Sequence, residues 1–272
     1  MGEARTHGKL SLASGVMPEF TPGQTVAAAA AAGWDAVGIW VDMKLWTPET
    51  TREVRARLAD AGMPALDAEV VWLREGPDDA DHLRILDIAA DIGAANVLVV
   101  SSAGSARETA DKLGRLADHA RGAGPRISLE FGAFTSVKSL GDALEVLDLC
   151  GRPDAGLLVD PLHFARTGGR PADLASVDPS RFAYAQFCDA PARGPNPSEV
   201  EAIIEEAIDL RLMPGEGGLP LAGVLTALPA NTPLSVELRS KALRDRYPDP
   251  AERARVLLDA TRRWMERSIT AG

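Results

Sequence analysis

The feature that most restricts the fold is an alternation. A short apolar run is followed by a longer stretch with helical spacing, and the pair recurs eight times along the 272 residues. The apolar runs are "KLSLAS" from Lys9, "WDAVGIW" from Trp34, "MPALDAEVVWL" from Met63, "ANVLVVSS" from Ala95, "RISLEF" from Arg126, "AGLLVD" from Ala155, "FAYAQFCD" from Phe182 and "PLSVEL" from Pro233. They are nearly continuous in apolar residues rather than strictly alternating, as expected of parallel strands covered on the outside by helices. The helical stretches carry their own start and stop signals. Thr21 precedes Pro22 and Gly33 closes that helix; Thr47, Pro48 and Gly62 repeat the arrangement. An extra helix is expected after strand seven, at about 197–212, through "PSEVEAIIEEAIDLRL". No linker divides the chain, so the pattern reads as one α/β domain over residues 1–272, a single (β/α)8 TIM barrel rather than two doubly wound domains.

Charge and cysteine usage narrow the function. The formal net charge of −10 argues against a grip on nucleic-acid backbones, which needs clustered Lys and Arg. A small-molecule substrate is the expected partner. The two cysteines, Cys150 and Cys188, form no CxxC pair, which fits a reducing, cytoplasmic setting. The opening "MGEARTHGKL" has no apolar leader, and the alanine run from Val26 is too short to span a bilayer, so no membrane association is expected.

In such a barrel the reacting groups stand at the C-terminal ends of the strands. Strand five ends at Glu130, strand six at Asp160, strand seven at Gln186 with Asp189 just beyond, and strand eight at Glu237, while strand three carries Glu69. Carboxylates converging in a barrel mouth repel one another, and a divalent cation relieves that repulsion. Hard oxygen ligands suit Mg²⁺ or Mn²⁺, with Co²⁺ or Zn²⁺ if an imidazole joins them. Of the four histidines only His163 falls at the catalytic face; His7 precedes the first strand, and His82 and His119 lie in outer helices. His163 is placed to contact substrate or carry a proton. Arg166 is a candidate for holding a hydroxyl, carboxylate or phosphate, and Arg239 is a further candidate for substrate binding. Glu216, in the glycine-rich "MPGEGG", belongs to a shaped loop over the mouth. Trp40, Trp46 and Trp72 lie where indoles can floor a sugar-sized pocket or simply pack the rim.

The strings "LEF" at Glu130, "VDPLHFARTGG" at Asp160, "QFCDAP" at Gln186, "MPGEGGLPL" around Glu216 and "SVEL" at Glu237 resemble the sugar phosphate isomerase/epimerase family, of the xylose isomerase-like TIM barrel superfamily, from about Leu10 to Trp264. The resemblance implies a divalent metal held by Glu130, Asp160, Gln186 and Glu237, with Glu130 and Glu237 also acting as the proton-transfer pair and His163 touching substrate. It implies an isomerase or epimerase acting on a small polyhydroxylated keto or aldo compound through a metal-bound enediolate. It also implies that a homodimer or homotetramer is the form to expect. Gln186 departs from the pattern, where histidine is usual, and this shifts the expected metal towards Mn²⁺ or Mg²⁺ and away from Zn²⁺. It also opens an alternative: a dehydratase or lyase acting on a keto-polyol, a keto-sugar or a dehydroshikimate-like acid. A non-catalytic partner subunit that keeps the fold is the second alternative.

Overall fold

The computed structural model describes residues 8–122 and 124–270; His7 and most of the opening segment lie outside them. Eight parallel strands close a barrel in sequence order. They are β1 (Leu10–Leu12), β2 (Ala36–Trp40), β3 (Ala65–Arg74), β4 (Asn96–Ser102), β5 (Arg126–Glu130), β6 (Ala155–Val159), β7 (Phe182–Phe187) and β8 (Leu234–Val236). β1 closes the ring by pairing with both neighbours, Ser11 lying against Ala36 on one side and Ser235 on the other. The strands are buried almost throughout, which is why their sequences read as continuous apolar runs. β3 is the longest strand and shifts register between Ala68 and Val71, where the Glu69–Val70 peptide is cis.

The outer layer begins with α1 (Pro22–Ala32), α2 (Pro48–Ala61), α3 (Ala80–Asp91), α4 (Ala106–Ala120) and α5 (Leu140–Cys150). The start signals act as expected. Thr21 and Thr47 each close a capping box before a proline, and Gly33 and Gly62 end their helices in the left-handed conformation. The second half is more broken: α6 (Pro161–Arg166), α7 (Pro171–Ala175), α8 (Val200–Asp209), α9 (Leu221–Ala227), α10 (Lys241–Arg246) and α11 (Pro250–Thr270). α11 ties the end of the chain to its start. Trp34 Nε1 donates to the Ala254 carbonyl at 3.0 Å, and the buried Arg253 donates to the Val16 carbonyl at 3.1 Å.

Two short helices bear on function. The residues after Asp160 form α6. Asp160 is its N-cap, accepting from Leu162 N at 2.7 Å, and Pro161 takes the first helical position. The basic segment Arg239–Arg246 is mostly the short helix α10, in which Lys241 pairs with Asp245 and Arg244 with Asp209. Among the described residues no helix is long and apolar enough to cross a membrane.

Candidate active site

A cavity of about 190 Å³ opens at the C-terminal ends of the strands. Glu69, Glu130, His163 and Glu237 line it, together with Arg211 and Arg239. Trp72, Val100, Phe134 and Ile204 give it an apolar wall. Asp160 and Gln186 are buried at its base. A larger, shallow groove of about 880 Å³ lies over α7, α9 and α11, but its lining is chiefly alanine, glycine and proline and it holds no carboxylate.

Gln186 is the centre of the arrangement. With its amide nitrogen turned to the carboxylates it stands 2.9 Å from Glu130 Oε1, 3.0 Å from Glu237 Oε2 and 2.8 Å from Asp160 Oδ2. An amide has two N–H groups for these three acceptors. Turned the other way, its oxygen becomes a fourth oxygen among them. Adjacent ligands about 2.1 Å from one octahedral ion lie about 3.0 Å apart, which is compatible with these amide-to-carboxylate distances. Charge agrees. Four carboxylates, Glu69, Glu130, Asp160 and Glu237, face two guanidinium groups, leaving two negative charges unbalanced. Glu130, Asp160 and His163 also present ligand atoms within 4.8 Å of one another. The residues therefore fit a divalent metal.

Burial pushes the Glu130 carboxyl well above its ordinary value, with the Asp160 and Glu237 charges adding to the effect. Glu69 is raised in the same way by burial, then by Asp67 and Glu237. Asp160 is held below its ordinary value: burial works against its charge, but Arg211 and His163 outweigh burial. Burial pushes the His163 ring below its ordinary value, with Asp160 opposing the shift. The ring is edge-on to Phe134, with centroids 5.2 Å apart, and packs beside Gly132, where a Cβ would meet it in ordinary van der Waals contact.

Arg211 is the residue that sequence reading missed. Its guanidinium is buried and reaches Asp160 Oδ2 at 2.5 Å and Glu237 Oε2 at 2.9 Å, while its Nε donates to the Ala207 carbonyl at 2.7 Å. The available signal was an arginine between an apolar helix and "MPGEGG". Arg239 does reach the cavity: it bonds Glu237 Oε1 at 3.2 Å and lies over the Trp40 ring at 5.5 Å. Trp72 lines the wall, with Nε1 donating to Ser102 Oγ and Arg74 stacked on its ring. Trp46 is used elsewhere, donating to Thr51 on α2.

Three expected substrate contacts are not brought to the cavity. Arg166 makes a two-pronged ion pair with Glu206 of α8 at 2.6 and 2.7 Å, so α6 holds α8 through it. Asp189 is buried, and its carboxylate accepts four backbone N–H groups, from Ala190, Gly215, Gly217 and Leu219, at 2.8–3.1 Å. It shapes the glycine-rich loop and has no capacity left for a ligand. Glu216 is exposed on that loop, its carboxylate accepting only from Met213 N at 3.3 Å.

Comparison with known proteins agrees with this geometry. The model of the xylose isomerase-like TIM barrel family matches residues 26–266. The chain belongs to that family. Within it, a 3-dehydroshikimate dehydratase from Pseudomonas aeruginosa is 29% identical over 247 residues, which is 85% of this chain and 37% of the relative. This xylose isomerase-like chain thus spans little more than a third of that relative's length. Among solved structures, a fusion of a xylose isomerase-like TIM barrel with a 4-hydroxyphenylpyruvate dioxygenase superposes with a TM-score of 0.80 at 24% identity, over 96% of this chain and 44% of that one. The IOLI protein, solved with a bound zinc atom, superposes with a TM-score of 0.76 at 17% identity, over 97% and 98%. Both likenesses show the shared fold.

Proposed function

We propose that this barrel is a divalent-metal-dependent enzyme that eliminates water from a small, cyclic, hydroxylated keto acid of the dehydroshikimate type. The observation that carries the reading is the pairing of Arg211 and Arg239 with an apolar wall inside one small cavity. A neutral sugar has no need of two guanidinium groups, whereas an anionic ring offers a carboxylate to a guanidinium and a face to Trp72 and Phe134. Arg239 is the better carboxylate anchor, because Arg211 is committed to Asp160 and Glu237. The name of the Pseudomonas relative points the same way.

Glu130, Asp160, Gln186 and Glu237 would hold a divalent ion, which would supply Lewis-acid chemistry to a substrate carbonyl. The amide of Gln186 in place of an imidazole favours Mg²⁺ or Mn²⁺ over Zn²⁺. One of Glu130 and Glu237 removes the proton at the carbon beside the carbonyl; the C–H electrons form the new C=C bond, the C–O bond of the neighbouring hydroxyl breaks, and the other glutamate, protonated, gives that oxygen the proton with which it leaves as water. His163 holds a hydrogen bond at a substrate hydroxyl. Trp72, Phe134 and Ile204 exclude water from the ring. If the neighbouring hydroxyl stays, the same glutamate pair gives isomerisation or epimerisation, and the reach of both Glu130 and Glu237 to the one Gln186 amide supports that second reading.

The test is a screen of Mn²⁺-loaded protein against keto-sugars, keto-inositols and dehydroshikimate-like acids in deuterated water. The expected result is loss of water from the anionic ring, with KM rising roughly tenfold or more in Arg239→Ala and kcat less affected. Deuterium exchange confined to neutral keto-sugars, without elimination, would replace this reading by the epimerase one.

A further inference from the structure

Beneath the plane of ligands the inside of the barrel is unusual. Barrels of this type fill the lumen with bulky branched side chains. Here β8, β1, β2 and β3 contribute Ser235, Ser11, Gly38 and Asp67 to one wall, and β7 adds Tyr184. Asp67 Oδ1 lies 2.4 Å from where a side chain at Gly38 would begin, so the carboxylate leans across β2 into space that only a glycine leaves free. Tyr184 and Ser235 approach the Asp67 carboxylate without reaching hydrogen-bond geometry, and among the described residues no lysine or arginine stands beside it.

Both oxygens of Asp67 are buried without a hydrogen-bond partner, as are the hydroxyls of Ser11, Tyr184 and Ser235. All four residues are 0% exposed. Each of these atoms is a hard oxygen, and a buried oxygen left unpaired is costly. Charge is also uneven. Arg211, Arg239 and the proposed divalent ion lie in the plane above, and Asp67 is a further buried carboxyl with no lysine or arginine among the described residues beside it. One carboxylate with neutral hydroxyls around it matches a single positive charge, whereas a divalent ion calls for more carboxylate or retained water.

We propose that Asp67, Ser11, Tyr184 and Ser235 form a second cation site, for a monovalent alkali ion, in the barrel lumen one layer below the divalent site. The Asp67 carboxylate supplies the charge and the three hydroxyls donate lone pairs. Glu69 and Glu237 sit two residues further along the strands that carry Asp67 and Ser235. An ion there shares its field with both, so the lower site braces the upper one electrostatically. The inference is independent of which reaction the cavity above performs.

The test uses full-length protein saturated with Mn²⁺ in tetramethylammonium acetate. Replacing tetramethylammonium by sodium or potassium at constant ionic strength should raise the thermal midpoint saturably, by about 3 °C or more. The rise should vanish in Asp67→Asn and need more salt in Ser235→Ala, which serves alone if the first variant does not fold. Crystals soaked in rubidium or thallium(I) acetate should show an anomalous peak bounded by Asp67, Ser11, Tyr184 and Ser235. Equal midpoints in all three salts, an unchanged response in both variants, a peak confined to the divalent plane, or a response to added Mg²⁺ or Ca²⁺ in place of alkali ions would each overturn the proposal.

Discussion

Asp160 does two jobs with its two oxygens. One caps α6 by accepting from Leu162 N, and the other faces Gln186 and Arg211. That division was partly legible in "VDPLHF": an aspartate ending an apolar run marks the site, and the proline after it marks a helix start. Glu130, Gln186 and Glu237 were legible for the same reason, since strand ends are countable. Arg211 was not, because it reaches the site from the insertion between β7 and β8 and so escapes any reading of strand ends. Asp67 was not either: an acidic residue inside an apolar strand looks the same in sequence whether it points into the lumen or not. At this scale the acid–base assignment is open to direct measurement. Glu130→Gln and Glu237→Gln each keep an oxygen ligand, so metal content should stay near one ion per chain. Turnover should fall by about a thousandfold or more. Wild-type rates in either variant would remove that residue from proton transfer.

Among the elements, α8 is the one that shapes the cavity. Ile204, Ala207 and Ile208 line it, and Arg211 follows directly after the helix. The helix itself was expected from its apolar spacing at about 197–212 and spans Val200–Asp209. Its attachment was not expected. Arg166 looked like a ligand for an anion and is one, but the anion is Glu206. Sequence distance hid the pair, which joins residues forty positions apart. The pair is buried, with side-chain exposures of 8% and 5%, so breaking it from one side should be expensive. Arg166→Met or Glu206→Leu alone should cost roughly 3 kcal/mol in denaturant unfolding, and the double variant should recover much of the loss. If the single changes cost nothing, α8 is held by packing alone.

For the molecule as a whole, the eightfold alternation fixed the architecture because each unit is local, whereas the broken second half depends on contacts between distant segments. The assembled barrel gathers acids whose folded forms prefer a proton. Burial raises Glu130 and Glu69, and carries Asp67 from 3.8 to about 7. The unfolded chain ionises these groups first, so the folded state binds more protons and stability falls as pH rises. For Asp67 the loss runs between about pH 4 and 7. Chelated protein in tetramethylammonium buffer should therefore lose thermal stability from pH 5 to 8. Adding Mn²⁺ should reverse much of that loss, because an ion bound only to the folded state stabilises it. A flat profile without cations would contradict the burial of these charges.

The glycine-rich loop has a meaning separate from chemistry. Asp189 gathers the backbone N–H groups of Gly215, Gly217 and Leu219, and a side chain at Gly217 would run into the Ala190 carbonyl, 2.2 Å away. The string "MPGEGG" is therefore dictated from below, by a scaffold that any reaction can inherit. The string reports on a framework rather than on a metabolite. The choice of substrate is to be sought instead at positions 204, 208 and 239, which line the cavity.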